Sequence, residues 1–142
     1  YRKFAAGVLI FVTDDGVYHD AVYGPFNGRA GIAELIDEWF YRTATDLRWD
    51  MHAPVSDGET LYARYTFSYR SMLPEAKGAR AMFEGVAIMA IRDGRIASYR
   101  EVANTATGFV DMNFAPERIA KIAARQGAEL KARPEMARHL KS

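Results

Sequence analysis

The sequence predicts an α+β fold in which helices pack on one face of a curved, mostly antiparallel sheet. Three features carry this. A helical apolar pattern over residues 29–42 gives way to a period of two from Leu47 onward. Asp57-Gly58 and Asp93-Gly94 are tight-turn pairs that join the resulting strands. Helical spacing returns only after Pro116, a residue suited to the first position of a helix.

Taken in order, residues 1–12 read as the end of a helix, with Phe4, Val8, Phe11 and Val12 apolar. Thr13-Asp14-Asp15-Gly16 would stop it, with Gly16 in the left-handed geometry that follows a helix end. Residues 17–23 read as a first strand, and Gly24-Pro25-Phe26-Asn27-Gly28 as a turn cluster. In the helix over 29–42, Ile32, Ala33, Leu35, Ile36, Trp39 and Phe40 form the apolar stripe. Next, Leu47, Trp49 and Met51 alternate with Arg48, Asp50 and His52. An aromatic-rich strand covers 61–69, Leu73-Pro74 opens a break, and strands follow over 80–91 and 95–104. In the last helix Ile119, Ile122, Ala123 and Leu130 make the stripe, and Pro134 restarts a short final helix.

With 142 residues, 49% of them apolar and 26% charged, the chain suits one soluble domain and is neither disordered nor collagenous. No stretch approaches the roughly 20 apolar residues of a membrane span. The absence of cysteine excludes disulfides, thiolate metal sites and cysteine nucleophiles. His19, His52 and His139 lack metal-ligand spacing, and there is no GxGxxG or P-loop, so neither a metal nor an organic cofactor is expected. A net charge of +1 argues against a general nucleic-acid binder. Residues 116–142 carry seven Lys/Arg against three Asp/Glu, a basic segment on an acidic body. That segment is either a solvated helix face or a surface that docks on the body or a partner. Its apolar stripe favours a helical cover over a nucleic-acid arm.

The last strand is the most informative for chemistry. Tyr99, Glu101 and Ala103 share one face. A carboxyl buried there would have a raised pKa and suit proton transfer near neutrality, whereas an exposed one would merely pair with an arginine. On the first strand Tyr18 and Asp20 share a face that His19 does not, so His19-Asp20 is not a dyad. His52 falls with Arg48 and Asp50, an outward set. Arg64 sits mid-strand with Tyr62, Thr66 and Ser68, either held by a pocket carboxylate or paired at the surface.

These residues resemble a family. The run from Phe11 through Thr13-Asp14-Asp15-Gly16-Val17-Tyr18-His19-Asp20, then Gly24-Pro25-Phe26-Asn27-Gly28-Arg29 and a helix, is similar to the start of SnoaL-like proteins, within the nuclear-transport-factor-2-like superfamily. Asp93-Gly94-Arg95 through Tyr99-Arg100-Glu101-Val102-Ala103-Asn104 resembles the last strand, where the family often places an acid/base aspartate. The resemblance covers about residues 4–110 and implies a cone-shaped α+β roll wrapped around a deep apolar pocket. Its members include polyketide cyclases, ketosteroid isomerase, scytalone dehydratase and limonene epoxide hydrolase, so fold alone does not choose the reaction.

By position, the resemblance puts Glu101 where the cyclases and the epoxide hydrolase have a catalytic aspartate, Tyr18 and Asp20 where the epoxide hydrolase has a tyrosine and an asparagine that hold a water, and Arg64 where it has its arginine. The candidate catalytic residues are Glu101 and Asp20, and the candidate substrate contacts are Tyr18, Arg64, Tyr99, Trp39 and Phe40. Two departures stand out: Glu101 is one methylene longer than the family aspartate, and Thr66 stands where the epoxide hydrolase has the partner of its arginine. The family's first helix is longer, so a truncated one is expected here. The expected organisation is a domain over 1–115 and a basic helical extension over 116–142 on the same domain. The expected function is cofactor-independent acid/base chemistry (isomerase, cyclase or dehydratase/lyase) on an apolar oxygenated ring compound in a cytoplasmic homodimer. The alternatives are a noncatalytic binding module, with Glu101 locked in an ion pair, and an epoxide hydrolase. Neither nucleic acid nor membrane is an expected partner. The family pairs through its sheet, which would place Tyr69, His52 and Arg80 at the dimer interface.

Overall fold

Alternating side chains and two Asp-Gly turns build the long strands as expected. The computed structural model describes residues 9–141. One sheet holds β1 (Val12–Asp20), β2 (Gly24–Asn27), β3 (Ala44–Ser56), β4 (Thr60–Ser71), β5 (Arg80–Arg92) and β6 (Arg95–Asn104). The spatial order is β2-β1-β6-β5-β4-β3. β1 runs parallel to β6, and every other pairing is antiparallel. Helix α1 (Gly28–Glu34) continues through a π-helical turn, Leu35–Phe40, and a last turn, Tyr41–Thr43. After the sheet come α2 (Thr105–Asp111), α3 (Pro116–Lys131) and a 3₁₀ segment, Pro134–His139. No helix among the described residues is long and apolar enough to cross a membrane.

The beginning of the chain departs from the sequence-based expectation. Residues 1–8, expected to be helical, lie outside the described residues. The Thr13–Gly16 stretch is not a helix stop but part of β1. That strand spans Val12 to Val17 against only Ile96 to Ser98 of β6, so the surplus residues form a bulge. Gly16 is not left-handed; it lacks a side chain because a Cβ there would lie 2.4 Å from Val12 Cγ1. Residues 24–27 form a strand rather than a turn. Pro25 is tolerated because β2 is an edge strand and needs no second ladder.

Helix α2 went unpredicted. Thr105, Thr107, Gly108 and Val110 are weak helix formers, and tertiary contact overrides them. Phe109 is buried, and Gly108 lies so close to Phe83 that a Cβ would sit 2.1 Å from its Cζ. In the first helix, Ile32 and Ile36 pack on Val12 as the apolar stripe requires. The π-helical turn then brings Trp39 and Phe40 over the sheet, where Trp39 meets Tyr23 and Phe40 meets Phe67.

Helix α3 packs Ile119 and Ile122 against a cluster of Ala76, Ala81, Phe109 and Met112. It is also tied to the turn after β1: Gln126 Nε2 donates to Ala21 O at 2.8 Å, and Arg125 donates to Val22 O.

Candidate functional site

Strand alternation decides what the site contains. On β4, Tyr65, Phe67 and Tyr69 point to the helix-covered face, and Arg64, Thr66 and Ser68 to the other. Across β4, β5 and β6 the inward row carries small residues: Ala87 pairs with Glu101, and Gly85 pairs with both Tyr65 and Ala103. They leave space around the Glu101 carboxyl. The result is a cavity of about 220 Å³ between the sheet and the helices. Asp20, Glu101, Tyr18, Tyr65 and Tyr69 supply much of its polar lining; Trp39, Phe40, Trp49, Phe67 and Phe83 supply apolar walls.

Glu101 is held by donors from three elements. Tyr99 Oη donates to Oε2 at 3.2 Å, the Ala21 N–H donates to Oε1 at 3.3 Å, and the Tyr65 hydroxyl donates to the carboxyl as well. The rings of Tyr99 and Tyr18 stack at 4.3 Å, and their hydroxyls are hydrogen-bonded to one another. Burial pushes the Glu101 carboxyl above the usual glutamate range. The Asp20 charge adds to that rise, while the Tyr65, Ala21 and Tyr99 donors oppose it. Among the described residues Glu101 has no ion-pair partner.

Asp20 also rises, chiefly by burial, against donation from the backbone and the nearby Arg125 charge. Its Oδ1 accepts the N–H groups of Val22 at 2.7 Å and Tyr23 at 2.8 Å. The turn Ala21-Val22-Tyr23 thus gives three successive amides to the two carboxyls, one to Glu101 and two to Asp20. The hydroxyls of Tyr18, Tyr65 and Tyr99 are all held above the usual tyrosine range, burial being the largest cause, so they remain donors at neutral pH.

The structure therefore brings together Glu101, Asp20, Tyr18, Tyr99, Trp39 and Phe40. Arg64 is a correction. It lies on the outer face, half-exposed, with Nη1 2.8 Å from Glu84 Oε1, because its parity on β4 is opposite to that of Tyr65. Thr66 shares that outer face and meets His52 Nε2 at 3.0 Å. Tyr69 is a second correction: expected at a dimer interface, it lines the cavity instead, with its hydroxyl on Met112 Sδ at 3.5 Å. His19 is exposed. Sequence reading missed Tyr65, Trp49 and the Ala21–Tyr23 turn; the small inward residues Gly85, Ala87 and Ala103 were the available signal. Arg64→Met is expected to leave any turnover unchanged and to shift stability by less than about 1 kcal/mol, the scale of an exposed ion pair. Activity and thermal melts of the variant check this; a large activity loss would return Arg64 to the site.

The sequence model of the SnoaL-like domain matches residues 2–99. The chain belongs to the SnoaL-like family. The solved structures it resembles share the fold of the nuclear-transport-factor-2-like superfamily. TsrD from Streptomyces laurentii is 22% identical, with a TM-score of 0.63 over 76% of this chain and 81% of that one. A putative polyketide cyclase from Xanthomonas campestris pv. campestris is 21% identical, with a TM-score of 0.64 over 78% of this chain and 86% of that one. An LEH-like epoxide hydrolase from M. tuberculosis is 18% identical, with a TM-score of 0.61 over 78% of each chain. No curated protein sequence matches at a significant level. Identities this low bear on the fold of the SnoaL-like chain and not on its reaction. Among its described residues no group of three or more His, Cys, Asp or Glu is placed to hold a metal ion.

Proposed function

We propose that this SnoaL-like protein is a cofactor-independent enzyme that uses Glu101 as general acid/base on an apolar, oxygenated ring compound. Isomerisation, cyclisation and dehydration or lysis all use such a group on a proton next to a carbonyl or on a leaving hydroxyl. The observation that supports this best is a partly buried carboxyl, hydrogen-bonded by phenols and without an ion-pair partner among the described residues, at the floor of an aromatic cavity, where burial raises its pKa. Tyr65 and Tyr99 donate to the Glu101 carboxyl and Tyr18 donates to Tyr99, so the phenols orient the acid/base group, with Tyr18 and Tyr65 at the cavity wall. Asp20, with one oxygen committed to the turn, helps keep Glu101 protonated through its charge.

The two alternatives have less support. A noncatalytic module with Glu101 locked in an ion pair lacks that pair among the described residues. An epoxide hydrolase of the limonene type would need its arginine in the cavity, whereas Arg64 and Thr66 sit on the outer face.

The test is a screen of cyclic ketones, hydroxy-ketones and epoxides with a chelator present, followed by a pH–rate profile of whichever compound turns over. Turnover is expected to survive chelation and to show a limb above 4.5, the ordinary glutamate value. Tyr65→Phe removes a donor that stabilises the anion, so that limb moves to higher pH. Loss of activity on chelation that a divalent ion restores, or a limb unmoved by Tyr65→Phe, contradicts the proposal.

We also propose that two copies pair through the outer sheet face. Tyr62, Met82, Val86 and Val102 are exposed there around the Arg64–Glu84 pair, with His52 and Arg80 on the same face. Sedimentation at micromolar concentration is expected to give twice the 15.9 kDa chain mass; a clean monomer contradicts this.

A further inference from the structure

The cavity has a second polar end that the acid/base reading leaves unused. Arg118, from the first turn of α3, is the only cationic residue among the described residues lining it. Its guanidinium carbon lies 3.6 Å from the centroid of the Phe114 ring, and Nη1 is 2.8 Å from Glu75 Oε1. The stacking and the ion pair fix a planar, half-exposed guanidinium against the aromatic wall. Its charge also reaches the Tyr23 hydroxyl, another lining group.

A continuous succession of rings connects this end with Glu101. Tyr99, which donates to Glu101, meets Trp49 at 6.3 Å; Trp49 meets Phe67 at 5.3 Å; and Phe67 meets Phe83 at 6.0 Å. Phe83 meets Phe109 at 6.3 Å, and Phe109 stacks on Phe114 at 5.4 Å, with Arg118 beyond. Such a surface favours a flat aromatic body through ring contacts. A carboxyl at one end and a guanidinium at the other give the ligand a direction. The Asp20 charge near the floor repels a ligand anion there, and a guanidinium offers forked donors to a carboxylate.

We propose that Arg118 is a specificity-determining residue that binds a carboxylate on an aromatic substrate, with the substrate's reacting end at Glu101. The placement of the reacting end rests on the acid/base reading above; the anion site does not. Glu75 holds the guanidinium in place and competes with the ligand for it.

The experiment compares 2-naphthoate with uncharged 2-naphthamide, titrated calorimetrically into the full chain at neutral pH. Wild type is expected to bind the acid at least about tenfold more tightly, the scale of a charge-assisted hydrogen bond. Arg118→Met should abolish that preference and leave amide affinity unchanged, which also shows an intact cavity. Arg118→Lys should keep part of the preference, and Glu75→Gln should increase it. Glu101→Gln should keep it, so a failed acid/base reading and a failed anion site give different results. Equal affinity for acid and amide in wild type, a preference that survives Arg118→Met, or no binding of either compound at millimolar concentration overturns the proposal.

Discussion

Glu101→Gln is expected to lower turnover by about 10²–10⁴-fold, the usual contribution of a general acid/base, while the fold and ligand binding persist. Glutamine keeps the shape but carries no ionisable proton, and its single amide oxygen can stand only at the position facing Tyr99 or at the one facing the Ala21 N–H. Stability should move in the opposite direction from activity. The folded-state pKa of Glu101 lies above its unfolded value, so the folded protein holds the proton more tightly than the unfolded chain. Its favourable contribution is complete below the unfolded value of about 4.5 and is lost as pH rises through the raised folded pKa. Asp20 acts in the same sense from about 3.8 upward. Wild type should therefore lose stability as pH rises across this window, and Glu101→Gln should flatten the loss and melt no lower than wild type at pH 8. Thermal melts and turnover measured on one preparation decide the matter. A glutamine variant that keeps its rate per folded molecule and melts lower makes Glu101 a structural group and moves attention to Asp20.

Gly85→Ala is expected to damage both stability and the site. Gly85 lies opposite Tyr65 on β4 and Ala103 on β6. A Cβ there would fall 2.7 Å from Tyr65 Oη and 2.7 Å from Val102 O. The carbonyl belongs to a paired strand and cannot swing away, so the sheet must shift or Tyr65 must leave Glu101. Overpacking of this kind costs about 1–3 kcal/mol. Because Tyr65 donates to Glu101, the same change should raise the Glu101 pKa and cut turnover beyond what the unfolded fraction explains. Gly127→Ala is the contrast: nothing lies within 4 Å of a Cβ there, and the residue is inside α3. It should stabilise by about 0.5–1 kcal/mol through helix propensity and leave the site alone. Denaturant unfolding of the two variants checks both signs, and a neutral Gly85→Ala contradicts the packing argument.

What could be read from sequence follows from where local pattern and tertiary packing agree. Strands β3 to β6 were legible because their period-two alternation and the Asp57-Gly58 and Asp93-Gly94 turns state the same pairing. The second half of β1 was legible as a strand from Val17, but its start and β2 were not, because the bulge between Val12 and Val17 and the edge position of Pro25 are properties of the partner strand. α2 hides because its Thr and Gly residues are chosen for contact with Phe83, not for helicity. In the site, parity alone put Tyr18 with Asp20 and Tyr99 with Glu101, and it also put Arg64 opposite the aromatic row of β4. The resemblance drew Arg64 inward where alternation had already set it with Thr66 and Ser68. Tyr65 and the amides of Ala21, Val22 and Tyr23 stayed hidden because their role depends on Gly85 and on α3, both distant in sequence.

The central claim is that the Glu101 carboxyl holds its proton to a higher pH than an ordinary glutamate does. It is tested most directly by a carbon-13 NMR titration of carboxyl-labelled glutamate, with Glu101→Gln identifying the resonance. The expected midpoint lies above 4.5 and rises further in Tyr65→Phe. A midpoint at or below 4.5, or one that Tyr65→Phe leaves in place, would contradict the account by making Glu101 an ordinary anion held by its donors.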